Sequence, residues 1–399
     1  MATTIDIIPS KSFAHRALIC ATLADMHTDI HCDLPSRDIE ATRACVGAIL
    51  DGGNIMECGE SGSTLRFLLP VMGALGRKGI FMTEGRLSDR PLTPLVQELE
   101  THGCSLSPQG ETPITIEGQL TPGIFTLPGN ISSQYITGLL MALPLLDGDS
   151  TIDVMGNLES APYVAITTEV LRQFGILWIT KMTRHGMSFE VPGNQRYEGP
   201  DTFVVEGDWS AAAFWLAAGA LGRKPITVRG LNIHSMQGDI KILDVLRQFC
   251  VDVVEGDAEV TVYPSHLQGC EVDVSAIPDL APVIALLGTA ATGRTEIVNA
   301  ARLRLKESDR LHSIAESLNA LGMSVQEKSD SLAIKGSIRK GFRGGRVSSF
   351  GDHRIVMMEA IASLICRDKV IIDGKEDVAK SYPGFFEVMH QAGLDHNVE

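Results

Sequence analysis

The chain has 399 residues, of which 44% are hydrophobic and 21% charged. That is a globular composition, long enough for two cores and unlike that of a disordered chain. Its formal net charge of −15 argues against a nucleic-acid partner, which leaves a basic footprint.

The amino terminus, "MATTIDIIPSK", lacks the basic start and apolar core of a signal peptide. No uninterrupted apolar run reaches the roughly 18 residues of a membrane span. The eight cysteines show neither a CxxC nor a Cys/His cluster, so reduced thiols in a cytoplasmic protein are expected, with no metal site.

In chain order, six segments begin abruptly and then turn apolar, five of them opening on Ser, Asp or Gly and one on Ile277. They are "SKSFAHRALICATLA" from Ser10, "SGSTLRFLLPVMGALG" from Ser61, "SSQYITGLLMALPLL" from Ser132, "DWSAAAFWLAAGALG" from Asp208, "IPDLAPVIALLGTAA" from Ile277 and "GDHRIVMMEAIASLI" from Gly351. Each predicts a buried helix headed by an N-cap. Between them lie amphipathic segments ending at Gly52, Gly103, Gly175, Cys250, Gly322 and Gly393. Glycine suits the left-handed turn after a helix, so Cys250 is the exception. Short β-rich runs such as "ITVRGLNI", "AEVTVYP", "GRTEIVNA" and "KVIIDG" separate the helices. The pattern predicts six copies of an α/β unit of roughly 70 residues, grouped as two domains of three.

Cations stand where a helix N-terminus disfavours them. Lys11 and Arg16 bracket the first buried helix, Arg66 is early in the second, and Arg354 follows "GDH" in the sixth. Arg310 follows Ser308, which the pattern places at the N-cap of an amphipathic helix. Lys380 precedes "SYPGFF", where Pro383 suits a first helical position. One misplaced cation means little. Several imply small, multiply anionic ligands held by side chains and helix dipoles together. Asp279 and Glu307 sit among these cations, as ion-pair partners or as proton acceptors; the local sequence leaves both readings open. "GESGSTLR" lacks the GK[ST] of a phosphate-binding P-loop.

The ordered set "PSKSFAHRAL", "GESGSTLRFL", "SDRPLTPL", "LPGNISSQY", "SMQGDI", "IPDLAP", "RLKESDRL", "GDHR" and "KSYPGFF" closely resembles the 5-enolpyruvylshikimate-3-phosphate (EPSP) synthase family, in family order from about Ile8 to Phe386. The resemblance implies a two-domain inside-out α/β barrel of six repeated units, three per domain. One domain would span 10–207 and the other 1–9 plus 208–399, with the substrates in the cleft between them. It implies transfer of the enolpyruvyl group of phosphoenolpyruvate to the 5-hydroxyl of shikimate 3-phosphate, by a monomer with no cofactor or metal and no membrane partner.

By the same resemblance, Lys11, Gly62, Arg90, Gln134, Arg310, Arg354 and Lys380 would bind phosphoenolpyruvate. Lys11, Ser12, Arg16, Ser132, Ser133, Gln134, Ser160, Tyr163, Asp279 and Lys306 would bind shikimate 3-phosphate. Asp279 would take the 5-hydroxyl proton, and Glu307 and Lys11 would exchange protons at the methylene carbon. His353 orients neighbours or simply packs. Two departures are "ESGST", where many members read "NAGT", and Arg302, at a place often filled by a neutral polar residue. With Gly62 unsubstituted, inhibition by glyphosate is expected. The sister transferase acting on UDP-N-acetylglucosamine typically carries a cysteine where this chain has Gly85 and an asparagine where it has Ser12. A non-catalytic binder of anionic metabolites would not need Asp279 and Glu307.

Overall fold

A computed structural model describes residues 2–337 and 341–399. The chain divides into two compact units, one of residues 1–10 with 206–399 and one of residues 11–205. They are called here the discontinuous and the continuous unit.

In the continuous unit the helices are α1 (Lys11–Leu23), α2 (Arg37–Leu50), α3 (Gly62–Ala74), α4 (Thr93–Thr101), α5 (Ser133–Ala142) and α6 (Ala161–Gln173). In the discontinuous unit they are α7 (Trp209–Leu221), α8 (Ile242–Gln248), α9 (Ala281–Ala290), α10 (Arg310–Ala320), α11 (His353–Ala362) and α12 (Phe385–Gln391). The odd-numbered helices are the six buried segments and the even-numbered ones the amphipathic segments. In α7 every residue from Trp209 to Ala220 except Ser210 is buried, as an all-apolar helix requires. It packs on α9 and α11, which pack on each other.

The sheets carry the repeat most plainly. Ile55–Gly59 pairs parallel with Gly79–Thr83, which pairs antiparallel with Ile114–Gly118 and that with Cys104–Leu106. The same parallel-then-antiparallel order recurs in Ile124–Pro128, Ser150–Met155, Gly186–Val191 and Ile179–Thr183. It recurs twice in the discontinuous unit, in the sheets led by Thr3–Asp6 and Glu271–Asp273. The third sheet of each unit is reduced, among the described residues, to a parallel pair: Asp29–His31 with Thr202–Val204, and Gly345–Ser348 with Val370–Asp373.

Local chemistry explains the helix ends. Ser61, Ser132, Asp208 and Asp352 cap α3, α5, α7 and α11 by accepting a backbone N–H. The six helix-ending positions all have left-handed backbone, from φ +61° at Cys250 to +98° at Gly103. Cys250 therefore adopts the glycine conformation despite its side chain, which stays exposed.

Three expectations are corrected. Asp309, not Ser308, caps α10, accepting from the His312 N–H, while Ser308 turns its hydroxyl to Asp352. Lys380 ends a 3₁₀ turn (Lys375–Lys380) and α12 begins only at Phe385, so Pro383 is not its first residue. Asp279 lies in a 3₁₀ turn (Pro278–Leu280) ahead of α9, whose own N-cap position, Leu280, makes no side-chain cap.

Candidate active site

In the discontinuous unit, the heads of α10 and α11 and the turn before α9 bring six of the expected residues together. Asp279 Oδ1 accepts from Arg310 Nη1 at 2.7 Å and from Lys306 Nζ at 3.5 Å, and its Oδ2 accepts from Arg354 Nη2 at 3.0 Å. Arg310 also donates through Nη2 to Glu307 Oε2 at 2.8 Å. Lys380 Nζ donates to the Gly351 carbonyl at 2.9 Å, next to the α11 cap. His353 is buried at the head of α11.

Burial alone would lower the Arg310 guanidinium's pKa, but Asp352, Glu307 and Asp279 together hold it well above its ordinary value. Arg310 is a fixed cation around which the acids are arranged. The Lys306 ammonium is pushed the other way, chiefly by burial and with help from Arg310, against the opposing pull of Asp279.

In the continuous unit the heads of α1, α3, α5 and α6 supply the second group. Lys11 Nζ donates to Asp38 Oδ2 at 2.7 Å. Arg16 is buried, donating to Thr167 Oγ1 at 2.8 Å and to the carbonyls of Ser12 and Tyr163 at 2.7 and 3.0 Å. Its guanidinium lies 4.9 Å from the Phe67 ring centre. Burial lowers its pKa to about 9. Arg66 Nη1 donates to Gln134 Oε1 at 3.0 Å, and Gln134 Nε2 donates to Ser63 Oγ at 3.0 Å. Ser132 caps α5 and Ser133 is its buried first residue. Ser160 precedes α6 in left-handed backbone, φ 55°, a conformation that costs a non-glycine residue about 1–2 kcal/mol.

Gly62 opens α3 against two guanidiniums. A Cβ placed there would stand 2.5 Å from Arg66 Nη1 and 2.8 Å from Arg90 Nη1. Only hydrogen at this position lets both arginines lie against the helix head.

Lys11, Ser12, Arg16, Gly62, Arg90, Ser132, Ser133, Gln134, Ser160 and Tyr163 thus lie in the continuous unit, and Asp279, Lys306, Glu307, Arg310, Arg354 and Lys380 in the discontinuous one. Sequence reasoning missed their counter-ions. Asp352, 0% exposed, holds Arg310 Nε at 2.7 Å; its signal was the N-cap position in "GDHR". Asp38 holds Lys11 from the first turn of α2. Asp239, in the "SMQGDI" motif, is buried beside Ser210. Burial and then the charge of Asp279 push its carboxyl up to about 7, against the pull of Arg354.

Among the described residues no group of His, Cys, Asp and Glu is arranged to hold a metal ion, and no helix is long and apolar enough to cross a membrane. The arrangement suits ligands carrying several negative charges, with carboxylates among the cations able to exchange protons.

A family model for EPSP synthase (3-phosphoshikimate 1-carboxyvinyltransferase) matches residues 45–389. The 3-phosphoshikimate 1-carboxyvinyltransferase of Clostridium kluyveri is 43% identical over 98% of this chain and 94% of its own length. That of Clostridium acetobutylicum is 42% identical, covering 98% and 95%. Among solved structures, EPSP synthase from Acinetobacter baumannii superposes with a TM-score of 0.80 at 24% identity, over 98% of this chain and 96% of that one. The enolpyruvyl transferase NikO from Streptomyces tendae gives 0.78 at 18%, over 98% and 95%. These structural likenesses concern the fold.

Proposed function

The chain belongs to the EPSP synthase family, and from that premise we propose how its residues divide the work. The reaction transfers the enolpyruvyl group of phosphoenolpyruvate to the 5-hydroxyl of shikimate 3-phosphate, releasing phosphate, in the shikimate pathway of aromatic amino acid biosynthesis. Protonation of C3 of phosphoenolpyruvate and attack of the hydroxyl on C2 give a tetrahedral intermediate. Loss of phosphate and of a C3 proton restores the double bond.

The observation that carries the assignment is the ring of Arg310, Arg354 and Lys306 around Asp279. An arriving phosphate competes with Asp279 for Arg310 and Arg354. Each bond it takes leaves the carboxylate freer to accept the 5-hydroxyl proton, while the cations neutralise the leaving group. Lys380 and, from the continuous unit, Lys11, Gly62, Arg90 and Gln134 complete the phosphoenolpyruvate contacts. Ser12, Arg16, Ser132, Ser133, Gln134, Ser160, Tyr163 and Lys306 hold shikimate 3-phosphate. Glu307 and Lys11 exchange protons at the methylene carbon. The working form is a cytoplasmic monomer without cofactor, inhibited by glyphosate at the phosphoenolpyruvate site.

Phosphate release from phosphoenolpyruvate, with shikimate 3-phosphate or UDP-N-acetylglucosamine offered in parallel, tests the reading. Turnover is expected only with shikimate 3-phosphate; turnover only with the sugar nucleotide, or with neither, overturns it.

A further inference from the structure

The "SMQGDI" motif contributes a second buried residue. Gln237 is 4% exposed and its amide is fully engaged. Oε1 accepts from Ser10 Oγ at 3.0 Å and from the Trp209 N–H at 3.1 Å. Nε2 donates to the Gly207 carbonyl at 2.8 Å and to Glu206 Oε1 at 2.7 Å. The backbone repeats the tie, since the Ser10 N–H donates to the Glu206 carbonyl at 2.7 Å and the Asp208 N–H to the Ile8 carbonyl at 2.9 Å. One side chain therefore joins Ser10 and Glu206–Trp209, the two places where the chain passes between its units.

Ser10 is also the residue before Lys11, and adjacent Cα atoms stand about 3.8 Å apart. We propose that Gln237 is a positioning residue for Lys11: through Ser10 it fixes the backbone from which the Lys11 side chain departs toward substrate. This rests on the reading of Lys11 given above. A glutamine suits the task because one planar amide offers two acceptor sites and two donors at fixed angles. A buried amide that only stabilised the fold would satisfy the same hydrogen bonds, so the test must read the chemistry at Lys11.

Ser10→Ala removes one hydroxyl and one of the four amide bonds, and Gln237→Leu removes all four. Steady-state turnover of the full chain is measured for both, for Lys11→Arg and Lys11→Ala, and for Ser10→Ala/Lys11→Arg, with folding followed by circular dichroism. Small misplacements of reacting groups cost one to two powers of ten. Ser10→Ala is accordingly expected to lower kcat about tenfold while the KM for shikimate 3-phosphate changes less than twofold. In the Lys11→Arg background the same substitution is expected to cost less than twofold more, because both changes act through one group. Unaltered kcat in Ser10→Ala, or losses that multiply in the double variant, overturns the proposal, whether or not Gln237→Leu folds. Full activity in Lys11→Arg and Lys11→Ala would instead overturn the role given to Lys11.

Discussion

Arg310 and Asp352 form an ion pair with both side chains out of solvent, Nε standing 2.7 Å from Oδ2 at 1% and 0% exposure. Asp352 also accepts the Ser308 hydroxyl and caps α11 through the Arg354 N–H. Without Asp352, Arg310 keeps Asp279 and Glu307 but loses its fully buried partner, and α11 loses its cap; breaking a buried pair typically costs about 3–5 kcal/mol. Asp352→Ala is expected to lose stability on that order, read as a lower midpoint in urea. An unshifted midpoint would show that Asp279 and Glu307 alone suffice to hold the buried Arg310.

At Gly62 the expected effect falls on binding. The atoms nearest an added Cβ are the far ends of Arg66 and Arg90, which can swing away without disturbing the backbone. Gly62→Ala should keep the wild-type melting temperature. Its KM for phosphoenolpyruvate should rise about tenfold, and the inhibition constant for glyphosate by at least as much. The KM for shikimate 3-phosphate should barely move. An equal rise in both substrate KM values would contradict this assignment.

Asp279→Ala separates binding from turnover. General-base contributions are typically about 10²- to 10⁴-fold, and kcat is expected to fall within that range. Shikimate 3-phosphate should still bind, as measured by calorimetry. Turnover close to wild type would remove Asp279 from the role of base.

The pH dependence of stability has a specific source in Glu359. It is buried on α11, accepts the Ser317 hydroxyl at 2.6 Å, and its carboxyl is pushed up to about 8, chiefly by burial. The unfolded chain ionises at its ordinary value of 4.5. Between those values the folded state holds a proton that the unfolded state releases. The contribution is therefore complete below pH 4.5, falls as pH rises, and is lost above about 8. Its size is on the order of a few kcal/mol. Glu359→Gln should flatten the decline in urea midpoint between pH 5 and 8.5; parallel slopes in the two proteins would rule Glu359 out.

Cys250 carries a smaller cost. Left-handed backbone at a non-glycine residue costs about 1–2 kcal/mol, and glycine returns part of that as unfolded-state entropy. Cys250→Gly should raise stability by about 0.5–1 kcal/mol, checked by thermal unfolding.

What the sequence determined by itself is what short-range chemistry controls. The caps at Ser61, Ser132 and Asp208 and the left-handed turns from Gly52 to Gly393 depend on bonds within three or four residues, so each is written locally. The order of motifs was equally legible and identified the family. The tertiary structure decided which charges meet. Asp279 reaches Arg354 across 75 positions, Arg310 reaches Asp352 across 42, and Ser10 reaches Gln237 across 227. Even the α10 cap moved from Ser308 to Asp309 because Asp352, distant in the chain, takes the Ser308 hydroxyl. Buried ions and amides must find partners wherever packing supplies them, and a local pattern does not specify which segments packing brings together.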